Sequence, residues 1–324
     1  MTTDYRRTAA YGTAALLSAT LAVTLLADRS NASPTGAEPV VSQDRSDSPK
    51  TSVPLYEAER QARAEDLRAI LSGESPDLLT VGLALEAIYR PNVDANAARV
   101  EFNALVSGLK DYLGDDCPEF YAARKIRLYF FKTMGYEPVT VGNYARVDDL
   151  LPSGVLQRRK GYCLGLVYII VAAGRELNLP LYAAQLPNHC IIRFEGKTVQ
   201  VNFEPLDNGS GWTDDAYADQ LAGRPADIMT RAKYLTPLTD KELIALFLSN
   251  LGLHQISDGL TINALAASDV VIEQFPQLVD GYCLRGLALR TLGDPTGART
   301  AFDAALTIDP FYSPAIDGKS KIRD

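Results

Sequence analysis

From Cys163 to Leu177 the chain reads Cys-Leu-Gly-Leu-Val-Tyr-Ile-Ile-Val-Ala-Ala-Gly-Arg-Glu-Leu, with no charged residue before Arg175. Leu166, Val167, Ile170, Val171, Gly174 and Leu177 recur at helical spacing. Such a helix is apolar nearly all round and must be covered on every side. The rest of the chain therefore has to supply layers around it. With 324 residues and 47% hydrophobic content, it has the length for two modest domains and the material for a packed core.

Both flanks read as those layers. Upstream, Tyr56 to Leu71 is charged and helical. Ser75-Pro76-Asp77 reads as a helix start, with a capping serine, proline in the first turn and an acid; that helix should run to about Tyr89 and stop at Pro91. Asp94 can cap the next helix, which carries Val100, Phe102, Leu105, Leu109 and Leu113 and stops at Gly114. A fourth is expected from about Pro118 to Met134. Residues 135–160 hold Pro138, Gly142, Pro152 and Gly154 and read as irregular. Downstream, Leu181–Gln185, His189–Phe194 and Thr198–Phe203 read as strands, with Glu195-Gly196-Lys197 as a tight turn. Helices around an antiparallel sheet give an α+β domain.

The two ends read differently. Arg6 and Arg7 precede an uncharged run from Thr8 to Ala27, and Ser30-Asn31-Ala32 offers small residues for cleavage. Residues 1–32 are thus expected to be a signal peptide or membrane anchor, making the protein exported or membrane-tethered. Residues 33–54, rich in Ser, Pro, Asp and Thr, are expected to be a disordered linker. At the other end, Thr239-Asp240-Lys241-Glu242 matches a capping box. Beyond it Gly286, Ala298, Phe302, Ala305 and Pro310 fall at tetratricopeptide spacing, and a period of roughly 34 residues carries Pro310 back onto Pro276. So short an array cannot bury its own apolar face, so it must dock on the neighbouring domain or on a protein partner. The expected boundaries are 55–235 for the α+β domain and 236–324 for the helical region.

Composition removes several function classes. A formal net charge of −8 gives no electrostatic reason to expect nucleic acid or an anionic membrane as partner. With two histidines, His189 and His254, and no Cys-x-x-Cys, a metal site is not expected, and no motif calls for a cofactor.

One chemistry remains. Gly161 lets the chain turn into the apolar helix, and Cys163 falls in its first turn, where free backbone N–H groups and the helix dipole favour a thiolate. Arg158, Arg159 and Lys160 add positive charge nearby. The bland alternative is that Cys163 packs as a small hydrophobe. His189 opens a strand just after Leu186-Pro187-Asn188, and Asn202 and Glu204 share a face of the next strand because side chains alternate. A thiol, an imidazole and an acid or amide are the parts of a nucleophile–base–orienter set. Gln157 is a weak candidate to hold an oxyanion. Cys117, Cys190, Cys283 and His254 read as structural.

The runs Val155-Leu156-Gln157-Arg158-Arg159-Lys160-Gly161-Tyr162-Cys163-Leu164-Gly165-Leu166, Leu186-Pro187-Asn188-His189 and Asn202-Phe203-Glu204-Pro205 resemble the SirB-type transglutaminase-like family. Ala87-Ile88-Tyr89-Arg90-Pro91-Asn92-Val93-Asp94, Phe130 to Tyr136 and Asn143-Tyr144 are similar to its approach to the active-site helix, so the likeness covers roughly residues 71–212. The resemblance implies a papain-like transglutaminase core, followed in that family by tetratricopeptide repeats. It implies Cys163 as nucleophile, His189 as base and Glu204 in the acid position, where the family has Asp; Asn202 is the alternative orienter. Many SirB-type members lack the cysteine, whereas this chain keeps it. The expected function is a thiol enzyme that cleaves or transfers an amide or peptide bond of a protein or peptide substrate through a thioester. The alternative is a non-catalytic interaction module built from the same two parts.

Overall fold

Every residue from Leu164 through Gly174 is buried, so the apolar helix stands at the centre as its sequence requires. The computed structural model describes residues 53–72, 77–139, 146–221 and 223–322. The expected signal or anchor segment, nearly all of the expected linker, Ser75, Pro76 and Asn143-Tyr144 lie outside these.

Four helices come first: α1 (Val53–Leu71), α2 (Leu78–Tyr89), α3 (Ala95–Leu113) and α4 (Glu119–Leu128). Asp77, not Ser75, caps α2, its carboxylate accepting from Thr80 N at 3.1 Å. Asp94 caps α3 through Ala97 N, and Gly114 at φ +75 ends it. Phe102, Leu105, Leu109 and Leu113 are buried along α3, with Ala98 in place of Val100, which is exposed. The expected fourth helix is shorter than its pattern, because a π-helical turn over Tyr129–Thr133 breaks it.

The stretch read as irregular holds small elements. A two-residue parallel pair joins β1 (Glu137–Pro138) to β2 (Lys160–Gly161), and between them lie a 3-10 turn (Val147–Asp149) and α5 (Pro152–Arg158). Then come α6 (Cys163–Glu176) and an antiparallel sheet in the order β3 (Leu181–Leu186), β4 (His189–Glu195), β5 (Gln200–Glu204), β6 (Ser210–Trp212). The short β6 adds a fourth strand to the three expected. α6 packs on β3 and β4 and is covered by α2, α3, α5 and the later α8. The arrangement is α+β.

The outer edge of β3 is closed by the segment 234–238. Leu235 N and Leu238 N donate to the carbonyls of Gln185 and Ala183 at 3.0 and 2.8 Å. An edge strand is thereby kept from pairing elsewhere. After α7 (Ala226–Arg231), the C-terminal helices are α8 (Asp240–Ser257), α9 (Thr261–Gln274), α10 (Val279–Thr291), α11 (Pro295–Ile308) and α12 (Ser313–Ser320), each packed on the one before. The Thr239–Glu242 capping box starts α8 in both directions. The Phe302 ring fills the space that a side chain at Gly286 or Gly318 would occupy. One hydrophobic core runs without a break from Ala64 to Ala315. The helical region is docked on the α+β part, and α1 closes over α9 through Arg60–Asp269 and Arg68–Glu273 ion pairs of 2.5 and 2.7 Å.

Candidate active site

The start of α6 is fixed by backbone packing. Arg159 takes a left-handed φ of +52, which makes the turn that Gly161 was expected to make. Gly161 serves instead by its missing side chain: a Cβ there would lie 2.9 Å from Asp149 O. That carbonyl accepts from Tyr162 N at 3.1 Å, tying the Val147–Asp149 turn to the helix start. Tyr162 is the N-cap and its side chain makes no capping bond to the helix, so the N–H groups of the first turn are left to other partners. Cys163 is the first helical residue and half-buried.

The basic run before it is tied up elsewhere. Arg158 pairs with the Asp149 carboxylate, Arg159 donates to Met134 O, and Lys160 pairs with Glu137 at 2.8 Å. These cations are held by the surrounding loops and do not line the cavity at Cys163.

His189 is placed by a two-residue hairpin. Leu186 pairs with His189 across Pro187-Asn188, and Asn188 takes φ +58, which its short polar side chain tolerates. Asn188 Nδ2 donates to Ser313 Oγ at 3.0 Å, anchoring this turn to α12. The His189 Nε2 atom lies 2.9 and 3.0 Å from the two carboxylate oxygens of Glu204, the last residue of β5. The side chains are only 6% and 5% exposed, so the pair sits out of water. The thiol of Cys163 lines the same cavity as the imidazole and acts on its charge. Burial acts to lower the imidazole's affinity for its proton, but the Glu204 charge and the Cys163 thiol override it and raise the pKa to about 10.

Glu204 is held in turn. It accepts from Leu206 N at 3.0 Å and from the Tyr217 hydroxyl at 3.3 Å, and Trp212 of β6 packs its ring on Tyr217. The extra methylene of Glu over Asp therefore does not keep the carboxylate from His189. The structure brings Cys163, His189 and Glu204 together.

Two other sequence candidates are placed elsewhere. Asn202 is buried beside Glu204, but its amide donates to Asp214 at 2.7 Å and accepts from Arg193 at 3.2 Å. It pairs with Arg193 across the β4–β5 ladder and does not orient His189. Gln157 is exposed on α5 and borders a separate depression with Glu86 and Arg90. It cannot reach an oxyanion at Cys163.

The cavity at Cys163 holds residues that sequence reasoning missed. It measures about 110 Å³, and its far wall comes from the C-terminal helices, including His254, Asp280, Leu284 and Tyr312. His254 is not remote from the thiol: its Nε2 lies 3.2 Å from the hydroxyl of Tyr162, the residue before Cys163. Burial lowers its pKa to about 4, with Asp258 opposing and Arg90 assisting, so the ring is neutral at pH 7. Burial also pushes the Cys190 and Cys283 thiols up. Cys190 and Cys283 are buried as expected, and Cys117 is half-buried.

Residues 96–249 match the family model of the transglutaminase-like superfamily. Cys163, His189 and Glu204 all lie inside that match. No curated protein matches the chain. Among solved structures, it is similar to a crystal structure of menin described as revealing the binding site for the Mixed Lineage Leukemia protein. That similarity is 14% in sequence identity with a TM-score of 0.41, over 77% of this chain and 70% of that one.

Proposed function

We propose that the chain is a thiol enzyme of the transglutaminase-like class that acts on an amide or peptide bond through a thioester at Cys163. The observation that carries this reading is the His189 imidazole, held at Nε2 by the buried Glu204 carboxylate and lining one cavity with Cys163. With its pKa raised to about 10, His189 already holds the proton drawn from Sγ when substrate arrives, and sulfur attacks the amide carbonyl carbon. The oxyanion falls to the N–H groups of the first turn of α6. Collapse breaks the C–N bond, the leaving amine or ammonia takes the proton from His189, and a thioester remains. Attack by water releases an acid, attack by an amine releases a new amide, and either restores the thiol. Glu204 holds the imidazole and faces its charge without taking the proton.

The finer parts of the reading rest on sequence. The SirB-type assignment rests on the motifs around Cys163 and His189, and the tetratricopeptide assignment on the spacing from Gly286 to Pro310. Export or tethering rests on residues 6–32. The rival reading, a non-catalytic protein-interaction module, draws on the helical wall of the cavity. Iodoacetamide labelling followed by mass spectrometry separates the two. Near neutral pH, Cys163 should label faster than the half-buried Cys117, and His189→Ala should remove the difference. Equal rates at Cys163 and Cys117 in the wild type would leave the module reading in place. A pull-down with Cys163→Ala as control would then identify the substrate.

A further inference from the structure

Asp280 stands in the first turn of α10, where an acid ordinarily does no more than favour the helix dipole. Here it lines a cavity half-buried and, among the described residues, without a counter-ion. Its carboxylate accepts from the Tyr312 hydroxyl at 2.9 Å, and no described lysine or arginine forms an ion pair with it. A carboxylate partly withdrawn from water and lacking a cation favours a ligand that meets its charge. Burial accordingly raises its pKa above the usual carboxylate value.

A second acceptor lines the same cavity. Gln185 is 2% exposed, and its Nε2 donates to Ala232 O at 2.9 Å, which fixes the orientation of the amide. Its Oε1 has no hydrogen-bond partner. Gln185 pairs across the β3–β4 ladder with Cys190, so the two side chains share a face of the sheet. Cys163, Gln185, Cys190 and Asp280 all line this one cavity. No lysine or arginine lines the cavity, and Leu186, Leu246 and Leu284 give it apolar walls. One water needs roughly 10–15 Å³ of such space; at about 110 Å³ the cavity admits a side chain.

We infer that this cavity is a specificity pocket for a basic side chain, lysine or arginine, of a peptide substrate, with Asp280 as its counter-ion and Gln185 Oε1 as a second acceptor. The aliphatic stem lies along the leucines, and the charged head reaches the end walled by α10. The pocket recognises the acyl donor and does not bind the attacking amine. An amine paired with a carboxylate keeps its proton and has no lone pair with which to attack a thioester. The inference rests on the proposed thiol chemistry only in placing the scissile amide at Cys163.

The test is equilibrium binding by titration calorimetry of Nα-acetyl-arginine methylamide against Nα-acetyl-citrulline methylamide, which has nearly the same shape and no charge. The full chain should bind the arginine compound at least tenfold more tightly, and Asp280→Asn should bring the two to the same level. Gln185→Leu should reduce the arginine affinity and leave citrulline less affected. Equal affinities in the wild type, no binding of either, or a preference that survives Asp280→Asn would overturn the proposal. The wild-type comparison decides even if Asp280→Asn fails to fold. Binding needs no reactive thiol, so the pocket and the enzyme reading can fail separately. An arginine preference with an unreactive Cys163 removes the enzyme, and His189-dependent labelling with no preference removes the pocket.

Discussion

Gly286→Ala should destabilise the protein, although helix propensity alone gives the opposite sign. In a helix interior, alanine is better than glycine by about 1 kcal/mol. Gly286 lies inside α10, and a Cβ there would stand 2.6 to 2.8 Å from three ring atoms of Phe302. The ring cannot retreat, because Phe302 is fully buried and a Cβ at Gly318 would meet it at 2.5 Å from another helix. Relief requires α10 and α11 to separate, and overpacking of this kind costs about 1–3 kcal/mol. The net loss should be up to about 2 kcal/mol once the propensity gain of about 1 kcal/mol is subtracted. Urea unfolding would measure it directly. Phe302→Leu, which opens the space, should make Gly286→Ala favourable again, so the double mutant should be more stable than the sum of the singles by at least about 1 kcal/mol. If Gly286→Ala stabilises the wild-type chain, or if the two changes add, the ring is not wedged between Gly286 and Gly318 and the packing argument is wrong.

Other outcomes follow from the site. The His254 pKa falls from 6.5 to about 4 on folding, so the unfolded chain takes up a proton that the folded one refuses. Stability should fall as pH drops from about 6.5 to about 4, by roughly 3 kcal/mol at about 1.36 kcal/mol per unit; unfolding of His254→Gln across that window should lack this slope. His189 behaves in the opposite sense. Its pKa rises to about 10, so its contribution is fully present below about pH 6.5 and is lost as pH rises through about 10. In Glu204→Gln, NMR titration of the His189 ring should show a midpoint well below that of wild type, since burial then acts without the carboxylate; an unchanged midpoint would remove Glu204 as the cause. Gln157→Ala should leave the rate of acylation of Cys163 by a peptide p-nitrophenyl ester within about twofold of wild type, because Gln157 faces a different depression; a drop of the size seen for lost oxyanion donors, about 10²-fold, would restore it to the site.

Features carried by short-range patterns were legible in the sequence. The apolar helix from Cys163, the Asp94 cap and Gly114 stop of α3, the Thr239 capping box and three of the four main strands all follow from neighbours within a few residues. Cys163, His189 and Glu204 were legible because each sits at the end of such an element. What escaped was either too short to carry a period or held by distant residues. Strand β6 has three residues, β1 and β2 two each, and the seven-residue α5 hides among breakers. Val100 fits the apolar spacing of α3 but faces solvent, since no other layer covers that side. Asn202 shares a face with Glu204 as alternation requires, but Arg193 and Asp214 bind its amide, and neither pairing is visible in local sequence. His254 and Asp280 reach the cavity only because the C-terminal helices fold back beside Cys163 and the β3–β4 turn. No local pattern distinguishes them from ordinary helical residues.

The closure of α1 over α9 has a consequence for the order in which the protein is made. Arg60 and Arg68 meet Asp269 and Glu273 across 209 and 205 residues of chain. At about 5–20 residues per second of synthesis, the apolar stripe of Ala64, Leu67 and Leu71 waits on the order of 10–40 s for its partner helix to leave the ribosome. For that interval the nascent chain carries a buried-type surface in the open, and Cys163 is made before it ends. The cavity wall is also incomplete, since Tyr312 and Pro314 are translated well after Glu204. A chain cut between Glu204 and Tyr312 would hold the three candidate catalytic residues and lack part of the far side of their pocket. Selectivity for what reaches the thiol is thus acquired late, and a holdase bound to the early helices would guard both the fold and the thiol.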